Sequence, residues 1–364
     1  MRRLAPFVIL ALCLGCGSAP AVSAPGTIDV ASLPELPELP QFTDASAPTA
    51  DIGSAPNDAY TPDATAPNDV PVDAPDPRTG PPYPIVLVHG FAGFTSIGPI
   101  NYFFNVARDL RSRGETVIEA VTTPFSSAEV RGPMLAPFVD MALRQSGRRK
   151  VILIAHSQGG LDARYLISSV GYGDRVAALV TVSTPHHGTR LGDVINGAVP
   201  GGADVVINIF ASVLGAAYNT ASGRADIRLA LSSMSEATIE DFNRDNPDDP
   251  RVTYWSWAGR SNRRDGQRWC PLGAIADDPT RVDSLFTPLL ALGLLIENND
   301  PVENVNDGLV SVRSARWGRF MGCVPADHFD EIGQIAHTGP VGESGFDHVA
   351  FYRDVVRRLR AEGL

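Results

Sequence analysis

The sequence predicts an α/β fold, a mostly parallel sheet with helices on both faces, and three observations predict it. First, Pro84-Ile85-Val86-Leu87-Val88 and Val151-Ile152-Leu153-Ile154-Ala155 are short, continuous apolar runs, fit for strands buried on both faces. Second, each runs into a glycine-bearing turn, His89-Gly90-Phe91-Ala92-Gly93 after the first and His156-Ser157-Gln158-Gly159-Gly160 after the second. Third, stretches with helical spacing separate the apolar runs, and strands that alternate with helices of ten or more residues mean parallel pairing. No internal repeat is visible.

In chain order, the first strand at 84–88 is followed by a helix expected over 99–113, with Tyr102, Val106 and Leu110 on one face. A strand at 116–121 and a helix at 127–145 come next, then the strand, turn and helix around Ser157, then a strand at 176–182. Residues 205–214 are almost wholly apolar, and no charge occurs from 205 to 223. Periodicity does not separate a buried core helix from an apolar cover here. A last helix is expected over 347–361, where Asp347 is suited to capping its N-terminus.

The N-terminus has the form of a secretory signal over 1–16, with Arg2 and Arg3 ahead of an apolar run that is too short for a comfortable membrane span. Residues 17–82 hold 14 of the chain's 30 prolines, and ten acidic residues against a single arginine. Such a segment buries too little apolar surface to offset its own ordering, so it is expected to be a disordered linker. Most of the net charge of −11 lies there, so the acidity says little about substrate. The folded domain is expected over 83–364, outside the cytoplasm. In an oxidising compartment Cys270 and Cys323, its only cysteines, are candidates for one disulfide worth about 4 kcal/mol in the chain-entropy model. Two separate thiols are the alternative. No phosphate-cradling loop, zinc-ligand cluster or basic nucleic-acid patch is present.

The chemistry centres on Ser157. A strand–turn–helix this tight requires small residues two positions before and two after the serine, and Ala155 and Gly159 satisfy that. The turn presents the hydroxyl at the carboxyl end of the sheet, where a helix N-terminus and backbone N–H groups stabilise a developing oxyanion. A serine hydroxyl is a weak nucleophile at neutral pH and needs a base. With this turn the acid and then the histidine follow the serine in sequence. His186 and His187 come too early to leave room for an acid. His328, His337 and His348 remain, and from the residues alone His348 rivals His328, although a histidine beside a helix cap can be simply solvated. His328 lies 21 residues after Asp307, which sits in an Asn-Asp-Gly turn.

Seven segments in order, YPIVLVHGFAGF at 83–94, SSAEVRG at 126–132, AHSQGG at 155–160, TPHHG at 184–188, WSWAG at 255–259, NDGLV at 306–310 and HFDEIGQ at 328–334, resemble the secreted triacylglycerol lipases of Pseudomonas and Burkholderia. The resemblance covers nearly all of 83–364 and implies the α/β-hydrolase fold, with a helical lid at about 190–224. It also implies a catalytic set of Ser157, Asp307 and His328, with oxyanion donors on the backbone of Phe91 and Gln158. In that family a calcium ion fixes the histidine loop. The matching positions are the Asp283 and Asp330 side chains and the Gln334 and Thr338 carbonyls, an oxygen donor set of the kind calcium takes. A helix cap at Asp330 and a solvated Asp283 are the plainer alternatives. Many members need a membrane-bound folding chaperone. Arg313 stands where the family often has a cysteine, so the family's disulfide does not carry over. LCLGC at 12–16 resembles the lipobox of bacterial lipoproteins, with Cys16 as the lipidated residue, although Cys13 sits where an aliphatic residue is usual. An ordinary cleaved signal is the alternative.

The expected function is therefore hydrolysis of carboxylic esters, triacylglycerol foremost, through an acyl-serine at a lipid interface. The alternatives are an esterase or phospholipase with the same residues, and a surface lipoprotein that only binds lipid.

Overall fold

The computed structural model describes residues 80–93, 96–97, 100–214, 220–261, 287–300, 304–334 and 346–364. The chain begins with β1 (Ile85–Val88), a small antiparallel pair β2 (Ser96–Ile97) and β3 (Ile100–Asn101), then α1 (Val106–Ser112) and β4 (Val117–Ala120). Next come α2 (Ala128–Arg131), α3 (Ala136–Ser146), β5 (Val151–His156), α4 (Gly159–Ser168) and β6 (Val176–Val182). A helical stretch follows, with α5 (Arg190–Asp193), α6 (Gly202–Leu214), α7 (Ala221–Ser232) and α8 (Glu236–Asp245). The chain closes with β7 (Thr253–Gly259), α9 (Thr287–Glu297), α10 (Val312–Ala315), β8 (Arg319–Val324) and α11 (His348–Ala361).

The main sheet has the order β4-β1-β5-β6-β7-β8, with every neighbouring pair parallel. The apolar runs explain why. Along β1, Ile85 and Leu87 join one core layer while Val86 and Val88 join the other; along β5, Ile152 and Ile154 face the first layer and Val151, Leu153 and Ala155 the second. Side chains alternate faces in a strand, so an uninterrupted apolar run is stable only where helices cover both sides. Here α1 and α11 cover one face and α3 and α4 the other. The chain steps outward from β1 to β4, then crosses back to β5 and proceeds through β6 and β7 to β8. The direction reverses between β1 and β5, and sheets of this kind bind ligands at the carboxyl ends of the strands flanking that reversal.

Three expectations need correction. The first helix starts at Val106 and not near residue 99, because β2 and β3 occupy that stretch and Asn105, at φ 61°, holds a left-handed turn just ahead of the helix. The helix expected over 127–145 is broken into α2, a 3-10 turn at Pro133–Leu135, and α3, because Pro133 has no N–H to continue the ladder. Asp347 does cap the last helix, its side chain accepting from the Ala350 N–H. His348 beside it is not solvated but buried, its Nε2 2.8 Å from the Phe104 carbonyl. The signal sequence at 1–16, the linker up to residue 79, and Cys16, Cys270, Asp283, His337 and Thr338 lie outside the described residues.

Leu153 has no exposed surface. Leu153→Ala is expected to cost about 2–5 kcal/mol in urea unfolding, whereas Val130→Ala, at a position 52% exposed, should stay within about 0.5 kcal/mol of wild type.

Candidate active site

Ser157 sits between β5 and α4 with φ 56°, a left-handed conformation that costs a non-glycine residue about 1–3 kcal/mol. The surroundings hold it there. Its N–H donates to the Val182 carbonyl at 2.9 Å, and the Thr184 hydroxyl donates to its carbonyl at 2.7 Å. The requirement for small neighbours has a direct cause: a Cβ on Gly159 would lie 2.7 Å from the carbonyl oxygens of both Val88 and His89. The Ser157 turn is thus pressed against the loop that follows β1.

That loop carries Phe91. No acceptor for the N–H of Phe91 or of Gln158 is found among the described residues. The Gln158 side chain donates to the Ser126 carbonyl at 2.6 Å, which ties the start of α4 to the segment before α2. Arg131, fully buried, does more. Its guanidinium pairs with Asp162 Oδ2 at 2.8 Å and donates to the carbonyls of Thr123, Pro124, His89 and Gly90. Burial pushes the Asp162 carboxyl up to about 6, against the opposing pull of Arg131.

The Asn-Asp-Gly turn orients Asp307. Asp307 Oδ1 accepts from the N–H groups of Leu309 and Val310, which leaves Oδ2 facing His328 Nδ1 at 2.8 Å. The His328 N–H donates back to the Asp307 carbonyl at 3.0 Å, so the pair is held through backbone as well as side chain. The rings of His328 and His156 lie 4.5 Å apart, which sets the His328 imidazole against the residue preceding the serine. No hydrogen bond joins the Ser157 hydroxyl to His328 among the described residues, a common state before substrate arrives. Ser157 is 7% exposed, His328 3% and Asp307 not at all, so the site is closed to solvent.

The other histidines have different surroundings. His186 is buried, bonded to Thr181 at 3.0 Å and stacked on Trp317, and His348 fastens α11 to the loop before α1. His89 Nδ1 lies 3.0 Å from the Gly90 carbonyl, and its Nε2 accepts from the Thr122 N–H at 3.1 Å. Burial, reinforced by the Arg131 charge, lowers its pKa to about 4.

Of the residues expected to hold calcium, Asp330 is buried at the start of a 3-10 turn, Asp330–Ile332, with its N–H on Asp327 Oδ1. The Gln334 side chain donates to the Tyr102 carbonyl at 2.7 Å. A buried carboxylate in an oxygen-rich loop fits a hard cation, and the remaining two positions lie outside the described residues.

The residues that sequence reasoning passed over are Glu331, Tyr102 and the Arg131–Asp162 pair. Glu331 and Arg131 stood inside quoted motifs, but only the folded chain brings their partners together. Glu331 has no exposed surface; His156 Nε2 is 3.0 Å from its Oε2, and the Ser183 hydroxyl donates to its Oε1 at 2.6 Å. Burial, then the nearby Asp307 charge, pushes its carboxyl well above the usual range.

A profile described as the alpha/beta hydrolase fold matches residues 83–248. The triacylglycerol lipase of Pseudarthrobacter phenanthrenivorans is 28% identical over 320 residues, covering 78% of this chain and 98% of its own. The triacylglycerol lipase of Burkholderia plantarii is also 28% identical over 320 residues, covering 78% of this chain and 87% of its own. Among solved structures, lipase 1 from Pelosinus fermentans superposes with a TM-score of 0.53 at 19% identity, over 76% of this chain and 98% of that one. At that identity the structural likeness speaks to the fold.

A histidine whose pKa is lower folded than unfolded binds fewer protons when native, so its contribution is complete above about pH 6.5 and is lost as pH falls toward 4. For His89 the loss amounts to about 3 kcal/mol at most. His89→Asn, which starts less stable at pH 7.5, is therefore expected to lose less stability than wild type between pH 7 and pH 4.5. Urea unfolding across that range measures it; parallel curves would contradict it.

Proposed function

We propose that this chain, which has the α/β-hydrolase fold and is similar to triacylglycerol lipases, is a carboxylic ester hydrolase that cleaves triacylglycerol at a lipid–water surface through an acyl-enzyme on Ser157. The observation that carries the reading is the Asp307–His328 pair, held by side chain and backbone against a strained serine turn. With Nδ1–H donated to Asp307, His328 presents Nε2 as base. It takes the Ser157 proton as Oγ attacks the ester carbonyl, and returns it to the departing alcohol. It then deprotonates the water that releases the fatty acid, and Asp307 stabilises the imidazolium at both stages. The Phe91 and Gln158 N–H groups receive the oxyanion, each worth about 3 kcal/mol of barrier.

Access requires movement, because the serine and histidine are closed to solvent. The apolar cluster over the carboxyl edge of the sheet contains Val206, Ile207, Ile209 and Phe210 from α6. Packed against it are Phe91, Leu309 and Phe329, each next to or within the loops that hold the proposed catalytic groups. Phe210 contacts Phe91 edge-on, 5.2 Å between ring centroids. We assign α6 and the turns before it, including Gly197 at φ 98°, as the lid. Lifting it exposes an apolar face suited to a lipid surface. The proposal also takes in an extracytoplasmic location after signal cleavage, lipidation at Cys16, a Cys270–Cys323 disulfide, and a structural calcium held by Asp330 with Asp283, Gln334 and Thr338. Among the described residues no helix is long and apolar enough to cross a membrane.

The test is hydrolysis of emulsified long-chain triacylglycerol against a soluble short-chain ester. Ser157→Ala, His328→Ala and Asp307→Asn are each expected to lose about 10³-fold or more in kcat, while His348→Gln keeps turnover within a few-fold of any stability loss. Cleavage of the soluble ester alone would make the enzyme an esterase, and cleavage of a phospholipid in preference would make it a phospholipase. An active Ser157→Ala enzyme would overturn the mechanism.

Calcium has its own outcome. Chelator should lower the melting temperature of the full chain and added calcium should restore it; an unchanged melting temperature would remove the metal from the proposal.

A further inference from the structure

Behind the proposed catalytic groups runs a chain of buried hydrogen bonds that the ester mechanism does not use. Tyr102 Oη lies 2.8 Å from His156 Nδ1, and the Tyr102 ring packs on His89 with 5.6 Å between centroids. On the far side of the imidazole, His156 Nε2 lies 3.0 Å from Glu331 Oε2, so phenol and carboxyl bracket the ring, one at each nitrogen. The Ser183 hydroxyl fixes the other Glu331 oxygen, and the Gly259 N–H donates to Ser183 at 2.9 Å. Tyr102 is 8% exposed, and His156 and Glu331 are fully buried.

The ends of this chain matter. At one end Tyr102 Oη crowds Gly90, where a Cβ would lie 2.9 Å from it, and Gly90 adjoins Phe91, whose N–H is the proposed oxyanion donor. His156 directly precedes Ser157. Glu331 belongs to the loop that carries the proposed base. Three loops that meet nowhere in sequence therefore share one continuous set of buried contacts.

We propose that Tyr102, His156 and Glu331 are positioning residues that fix the oxyanion loop, the nucleophile turn and the histidine loop relative to one another. They touch neither substrate nor reacting atoms. Their effect belongs to the transition state, because attack requires donor, nucleophile and base to be placed together, whereas binding of the acyl chain does not. Loss of one link frees both ends, so defects at Tyr102 and Glu331, which both bond to the His156 ring, are not independent.

The experiment is a double-mutant cycle on the full chain with Tyr102→Phe and Glu331→Gln, read as kcat and KM on a soluble nitrophenyl ester beside melting temperature. Each single variant is expected to lose about ten-fold or more in kcat with KM within two-fold, and the double variant to lose less than the product of the singles. Additive effects, or kcat unchanged in Tyr102→Phe, would overturn the proposal. If Glu331→Gln does not fold, the kcat-against-KM split in Tyr102→Phe decides alone, since the ring and its packing remain. The inference rests on Ser157 as nucleophile, and the two fail differently: an active Ser157→Ala enzyme sinks the nucleophile, whereas an inert Ser157→Ala with a fully active Tyr102→Phe sinks only the positioning chain.

Discussion

A guanidinium with no solvent exposure is costly unless every face of it is occupied, and in this protein Arg131 meets that demand with the polypeptide backbone. One carboxylate oxygen of Asp162 and four carbonyls receive it. A buried pair of charges gains little net stability over apolar packing, because desolvation offsets the attraction. Its contribution is geometric. The carbonyls of His89 and Gly90 turn inward to the cation, which constrains the peptide that follows and hence the direction of the Phe91 N–H. The same cation gathers the 123–124 turn, whose Pro124 carbonyl accepts from the Ala92 N–H. If the Phe91 N–H is the oxyanion donor proposed above, its loop, which lacks regular secondary structure, needs such a clamp, since preorganised donors are effective only when they need not be reoriented during the reaction.

The carboxyl edge of the sheet collects polar groups for a related reason. Strands β1, β5, β6 and β7 end at one level there, and each continues into a segment that turns back over the sheet. Their first residues, His89, Ser157, Ser183 and Arg260, are all buried. Buried polar groups must be partnered, and these are drawn from different strands, so partnering them binds the loops together. Glu331 marks the centre of that arrangement. It receives hydrogen bonds from β5 through His156 and from the end of β6 through Ser183. A Cβ on Gly259 at the end of β7 would lie 1.8 Å from its Oε1, so a glycine is required there.

Much of the fold was legible because apolar runs report burial locally. The strand expected at 176–182 coincides with β6, and the nucleophile strand and helix fall where the turn motif placed them. The Asn-Asp-Gly turn was also readable, since Asx side chains satisfy nearby N–H groups within a few residues. What failed was of two kinds. The helix start near 99 was misplaced and the helix from 127 was read as continuous, because a left-handed Asn105 and the Gly132-Pro133 step interrupt patterns that periodicity alone carries through. The long-range polar chain was invisible because Tyr102, His156 and Glu331 are far apart in sequence, and none carries a local signature of its partner. Motif reading located the loops that matter; it had no means of saying which buried atom in one faces which buried atom in another.

The proposed lid raises a question of magnitude that bears on where the enzyme acts. Val206, Ile207, Ile209 and Phe210 are each 4% exposed or less. At about 1.5–3 kcal/mol per side chain, releasing all four into water costs on the order of 6–12 kcal/mol. The polar contacts between α6 and α7 add little: Arg224 to Asn208 at 2.8 Å and Arg228 to Asp204 at 3.8 Å are both solvent-exposed. An opening cost of that size leaves the open form a rare state in water. At a lipid surface the same side chains move from one apolar environment to another and the cost nearly vanishes. With α6 as the proposed lid, its apolar content would make exposure of the serine depend on the presence of lipid, with no dedicated sensor required.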